Sequence, residues 1–113
     1  MNTKLLLNGK LRTGQGDDIG VLDPATGKVI VHVPEASEEQ VGAAVAAAAK
    51  AFPGWAGTVP KDRSTMLLKL ADRIEAEGMW FAKLESQNCG KPLNAALNDE
   101  IPAVADVFRF FAG

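Results

Sequence analysis

Cys89 is the only cysteine in the chain, and a thiolate is the strongest nucleophile among ordinary side chains. A reactive thiolate needs a helix N-terminus or a cationic neighbour to lower its pKa. Cys89 instead precedes Gly90-Lys91-Pro92, a pattern that stops a helix, so it falls at the negative end of the helix dipole. The residue reads as structural, although Lys91 is near it in sequence. His32 alternates with valines, and with no second histidine and no nearby cysteine it reads as a half-exposed strand residue rather than a metal ligand. Gly14-Gln15-Gly16 is too short for a dinucleotide fingerprint and does not open a helix. The carboxylates Glu75, Glu77, Glu85, Asp99 and Glu100 belong to helical stretches, where such groups normally meet solvent. No catalytic and no cofactor-binding residue is assigned from these patterns.

The elements that must position these residues belong to a chain of 113 residues, a length suited to one domain. Hydrophobic residues make up 47% and charged residues 23%, which is the balance of an ordinary soluble protein. Twelve basic and fourteen acidic residues give a formal charge of −2 with no basic cluster. That balance argues against nucleic acid or an anionic membrane as the partner. A lone cysteine forms no internal disulfide, no signal peptide opens the sequence, and no apolar run reaches membrane-spanning length. A cytoplasmic protein is expected.

Two β-hairpins are expected over residues 1–34. Asn8-Gly9 joins Lys4–Leu7 to Lys10–Arg12, and Asp23-Pro24-Ala25-Thr26-Gly27 joins Ile19–Leu22 to Lys28–Val33. Val29, Val31 and Val33 would share one strand face, with Ile30 and His32 on the other. A helical layer of about four helices follows over residues 37–113. Ser37 and Gln40 form a capping box for the first helix, whose stripe is Val41, Ala44, Val45, Ala48 and Phe52. Pro53-Gly54 is expected to stop that helix and leave Trp55 in a loop, plugging a gap between helices. Pro60 opens a second helix with the stripe Leu67, Leu70, Ala71 and Ile74. Gly78 marks a stop or bend before a shorter helix presenting Trp80, Phe81 and Leu84, with Gly90 as its positive-φ end.

Asn98 is expected to cap the last helix, with Asp99 and Glu100 in its first turn and the stripe Ile101, Val104, Ala105, Phe108 and Phe111. Val107 and Phe110 lie off that stripe and are apolar too, so the helix belongs inside a larger body. Leaving four of its large side chains uncovered forgoes roughly 6–12 kcal/mol, which compares with a typical net stability of ~5–15 kcal/mol. The sequence therefore reads as cut off rather than finished, and the isolated chain as prone to associate through this helix.

Several phrases together resemble the front of NAD(P)-dependent aldehyde dehydrogenases. Asp23-Pro24-Ala25-Thr26-Gly27-Lys28-Val29 is similar to that family's Asn-Pro-Ala-Thr-Gly turn. Leu67-Leu68-Lys69-Leu70-Ala71-Asp72-Arg73-Ile74, Leu84-Glu85-Ser86, Gly90-Lys91-Pro92 and Phe108-Arg109-Phe110-Phe111-Ala112-Gly113 match further family phrases in order and spacing. Within the family, Leu84 to Gly113 is most similar to the bacterial γ-aminobutyraldehyde branch, with betaine-aldehyde enzymes as near neighbours.

The resemblance implies an α/β parent more than four times longer, a homotetramer with coenzyme, catalytic and oligomerisation domains. Residues 1–113 would be the α+β front of the coenzyme-binding domain, with the catalytic and oligomerisation domains absent. The implied reaction is oxidation of a small aldehyde, such as 4-aminobutanal from putrescine degradation, to the acid with NAD. A cysteine attacks the carbonyl, hydride passes to the nicotinamide, and a glutamate-activated water releases the acid. Those residues would fall beyond Gly113, and Cys89 does not match the nucleophile's context. The resemblance also implies a monovalent cation held by the carbonyls of Val21 and Leu22 and by Glu100, where glutamate replaces the family's usual aspartate. A competing expectation is a stand-alone, non-catalytic helical module that binds a partner through its last helix.

Overall fold

Asn8 and Gly9 take positive φ, 49° and 71°, and turn β1 (Leu5–Leu7) back onto β2 (Lys10–Arg12) with Leu6 opposite Leu11. The computed structural model describes residues 2–113 and falls into two units. The first runs to Leu22 and resumes over Gly27–Gly57, and the second comprises Asp23–Thr26 and Thr58–Gly113.

In the first unit, β3 (Asp18–Leu22) pairs antiparallel with β4 (Val29–Pro34), and Gly27 takes φ 69° beside the turn. A bulge between Val21 and Leu22 pairs Val21 with Val31 but Leu22 with Val29, skipping Ile30. The expected alternation therefore breaks. Ile30 and Val31 are both half-buried, and Val29 is exposed.

Loop 13–17 is held against the end of β4. The Gly16 N–H donates to the Glu35 carbonyl (2.9 Å) and the Glu35 N–H to the Asp17 carbonyl (2.8 Å). Gly14 approaches so closely that a Cβ there would collide with the carbonyl oxygens of Pro34 and Glu35.

Ser37 then caps α1 (Glu38–Ala56) in the expected capping box. Its partner Gln40, 9% exposed, does more than cap. Oε1 accepts the N–H groups of Ser37 (3.1 Å) and Gln15 (2.9 Å), while Nε2 donates to the Thr13 carbonyl (2.9 Å).

Pro53 does not stop α1. It sits inside the last turns, and the helix ends at Gly57, whose N–H donates to the Pro53 carbonyl at 3.0 Å. A proline this near the C-terminus removes one donor while its own carbonyl still closes the next turn. Trp55 is consequently helical and 44% exposed, not a plug in a loop.

In the second unit, α2 (Pro60–Ala76) starts with Pro60 at its first position. It buries Ala71 and half-buries Ser64, Leu67 and Ile74; Leu70, expected in that stripe, is exposed. Gly78 opens α3 (Gly78–Cys89) and is buried, with Ile101 Cγ2 3.4 Å from where a Cβ would stand. Its use is close packing rather than a turn. Phe81 and Leu84 are half-buried, whereas Trp80 is exposed and meets the Phe81 ring edge-on at 4.9 Å. Gly90, at φ 76°, ends α3 as expected.

The final helical run begins earlier than its expected cap. α4 (Leu93–Ala95) passes through a π turn (Ala96–Glu100) directly into α5 (Ile101–Ala112), so Asn98 lies within the turn and caps nothing. Pro102 explains the widening. It has no N–H, and its ring would crowd the Asn98 carbonyl in a regular helix. α5 packs on α2, with Ala105 buried and Ile101, Phe108 and Ala112 half-buried. Val104, Val107, Phe110 and Phe111 form its uncovered side, so Val104 and Phe111 leave the expected inner stripe.

The fully enclosed apolar residues are Ala71, Ala82, Ala96 and Ala105; among the described residues no large side chain is fully buried. A self-sufficient core normally closes over Leu, Ile and Phe. Here the enclosed residues are instead alanines, which let the helices of the second unit approach closely.

Candidate functional site

The polar groups of the second unit converge where α3 ends. Gly90 reverses the chain by its left-handed conformation, and its N–H donates to the Ser86 carbonyl at 3.0 Å. An added Cβ at Gly90 would stand 3.0 Å from Pro24 Cγ, so the tip of the Asp23–Thr26 turn rests on this stop. That tip is itself an Asx turn, with Asp23 Oδ1 accepting the Ala25 N–H at 2.8 Å.

Lys91 follows and sends its ammonium to Glu100 Oε1, with Glu85 Oε1 at 4.0 Å. The hydrogen bond to Glu100 raises the Lys91 pKa above its ordinary value, an effect that outweighs the opposing desolvation. Cys89 is exposed, and its thiol donates to the Glu85 carbonyl (3.2 Å) and carboxylate Oε1 (3.4 Å). Cys89 thus sits at a helix C-terminus with its thiol bonded to a carboxylate, not at the helix N-terminus that favours a thiolate. Next to these groups lies an open hollow of about 240 Å³ whose walls are Phe81, Leu84, Ile101 and Val104, with Glu85 and Glu100 at its rim.

The other candidates are dispersed. In the first unit, His32 Nδ1 lies 3.1 Å from Asp18 Oδ2, both side chains exposed. Val21 and Leu22 lie on β3 of the first unit at the bulge, and Glu100 ends the π turn of the second. Asp99 is exposed, and Glu77 accepts from Arg73 Nε at 2.5 Å. Glu75 is exposed as expected, yet it is also paired. It takes a two-bond fork from Arg109, and Asp72 and Asp106 complete that cluster at 3.2 and 3.3 Å.

No signal local to the sequence marks Arg109 as the clamp between α2 and α5, because its partners lie up to 37 residues away. Among the described residues no group of three or more His, Cys, Asp or Glu side chains could hold a metal ion. Among the described residues no helix is long and apolar enough to cross a membrane.

Two antiparallel hairpins followed by helices make the chain an α+β arrangement. The model for the aldehyde dehydrogenase family matches residues 11–113, and the chain belongs to that family. It is 49% identical to the 2-aminomuconic semialdehyde dehydrogenase of Danio rerio over 83% of this chain and 19% of that protein. The crystal structure of PnpE from Pseudomonas sp. WBC-3 superimposes on all of the chain with a TM-score of 0.95 at 38% identity, using 23% of its own length. The NAD+ complex of the Bacillus cereus aldehyde dehydrogenase gives 0.94 at 37% identity, again over the whole chain and 24% of that structure. The chain thus spans about a fifth of the length of the relatives it matches.

Proposed function

We propose that this chain is the N-terminal part of the coenzyme-binding domain of an NAD-dependent aldehyde dehydrogenase, and that it supports the fold without carrying a step of the reaction. The observation that bears most weight is the superposition of its whole length on under a quarter of structures in that family. The uncovered side of α5 and the alanine-only enclosed core agree with a layer that other segments complete. In this reading the catalytic thiol, the general base and the nucleotide-binding segments belong to the remainder of the enzyme, a cytoplasmic homotetramer. Cys89, tied to Glu85, is no part of that machinery. By itself the chain binds no NAD and associates through α5.

The substrate in this proposal is an aminoaldehyde resembling 4-aminobutanal. Support comes from the similarity of Leu84 to Gly113 to the γ-aminobutyraldehyde branch, and from a relative whose name also gives an amino-bearing semialdehyde. The test is kcat/KM of the full enzyme containing these residues, with NAD or NADP, for 4-aminobutanal, betaine aldehyde and benzaldehyde. Preference for 4-aminobutanal with NAD is expected. Preference for either of the other aldehydes removes the substrate assignment and leaves the family intact.

A further inference from the structure

We propose that the Lys91 ammonium is the resident cation of the Glu100 carboxylate, so that this turn needs no dissolved monovalent ion to neutralise it. Glu100 offers the hard oxygen donor that a sodium or potassium ion would use. Its Oε1, however, already meets Lys91, and a second cation at the same oxygen would be repelled. The ammonium is also held in place by the chain. Gly90 fixes the direction in which the backbone leaves α3, Pro24 rests on that glycine, and Glu85 Oε1 lies 4.0 Å from the same Nζ. A tethered ammonium has a high effective concentration at its carboxylate, which a freely diffusing ion must overcome. The cation implied at Val21, Leu22 and Glu100 then has its acidic ligand already taken, within this chain, by a residue two positions beyond Cys89.

Hydrogen exchange of the peptide covering residues 93–105 tests this in choline, sodium and potassium chloride at matched ionic strength. Native protein should exchange at one rate in all three salts. Lys91→Met in choline should exchange roughly two- to fivefold faster, the range for a half-exposed ion pair, and Lys91→Arg should stay near native. Slower exchange of the native protein in sodium or potassium than in choline overturns the proposal, and that arm needs no variant to fold. Lys91→Met exchanging at the native rate in choline overturns it equally.

Discussion

Arg109 and Glu75 meet through two parallel hydrogen bonds, Nη1 to Oε1 at 2.7 Å and Nη2 to Oε2 at 2.6 Å, which fork α5 onto α2. The fork holds the Glu75 carboxyl below its ordinary pKa, chiefly by the hydrogen bonds Arg109 donates. With the folded-state value lowered, the pair favours folding above the ordinary carboxylate range and loses that contribution as pH falls through the lowered value. Glu75→Gln should therefore be less stable than native at neutral pH, with the gap closing in acid. Denaturant titrations across that range check it, and a gap of constant size would contradict it.

Two hydrogen bonds of the Gln40 side chain, with Gln15 and Thr13, tie loop 13–16 to the start of α1, and a third holds the Ser37 cap. Gln40→Ala should cost about 2–3 kcal/mol, combining a lost cap with unpaired groups in the loop. Gln40→Glu keeps the acceptor for Gln15 and Ser37 and faces the positive helix end, so it should lose less. Urea denaturation of the two variants measures the order, and equal losses would show that the loop bonds contribute nothing.

Two glycines should respond with opposite sign. Gly90→Ala meets both the penalty of positive φ and Pro24 Cγ at 3.0 Å, and should destabilise by about 1–2 kcal/mol or more. Gly42→Ala lies inside α1 with nothing near the added methyl, and should stabilise by about 0.5–1 kcal/mol. Thermal midpoints of the pair decide this; a stabilised Gly90→Ala would mean that Pro24 does not rest there.

Cys89 provides a functional check. Among the described residues its thiol hydrogen-bonds to Glu85, so Cys89→Ser in the full enzyme should leave kcat within about twofold of native. A loss of several orders of magnitude would restore Cys89 as the nucleophile.

What the sequence revealed and what it hid follow a physical division. Asn8-Gly9, the Ser37–Gln40 box, Pro60 and Gly90 act over a few residues, and each produced the turn, cap or stop that its chemistry implies. Pro53 and Asn98 were misleading because a helix tolerates a late proline, and because a π turn can absorb Pro102 without breaking the rod. The long-range partners were out of reach. Nothing near Gln40 points to Thr13, and nothing near Arg109 points to Glu75, since both pairings depend on how separated elements pack. Lys91 and Glu100, nine residues apart, meet only because Gly90 reverses the chain. Of the candidate site, the position of Cys89 at the end of α3 was legible from Gly90-Lys91-Pro92, whereas its bond to the Glu85 carboxylate was not.

In the proposed function these residues support an aldehyde dehydrogenase and perform no chemistry themselves. The most direct measurement is NADH formation from 4-aminobutanal and NAD, comparing the purified 113-residue chain with an enzyme that contains it. The account predicts turnover by the enzyme and none above background by the chain. Turnover by the isolated chain would contradict it.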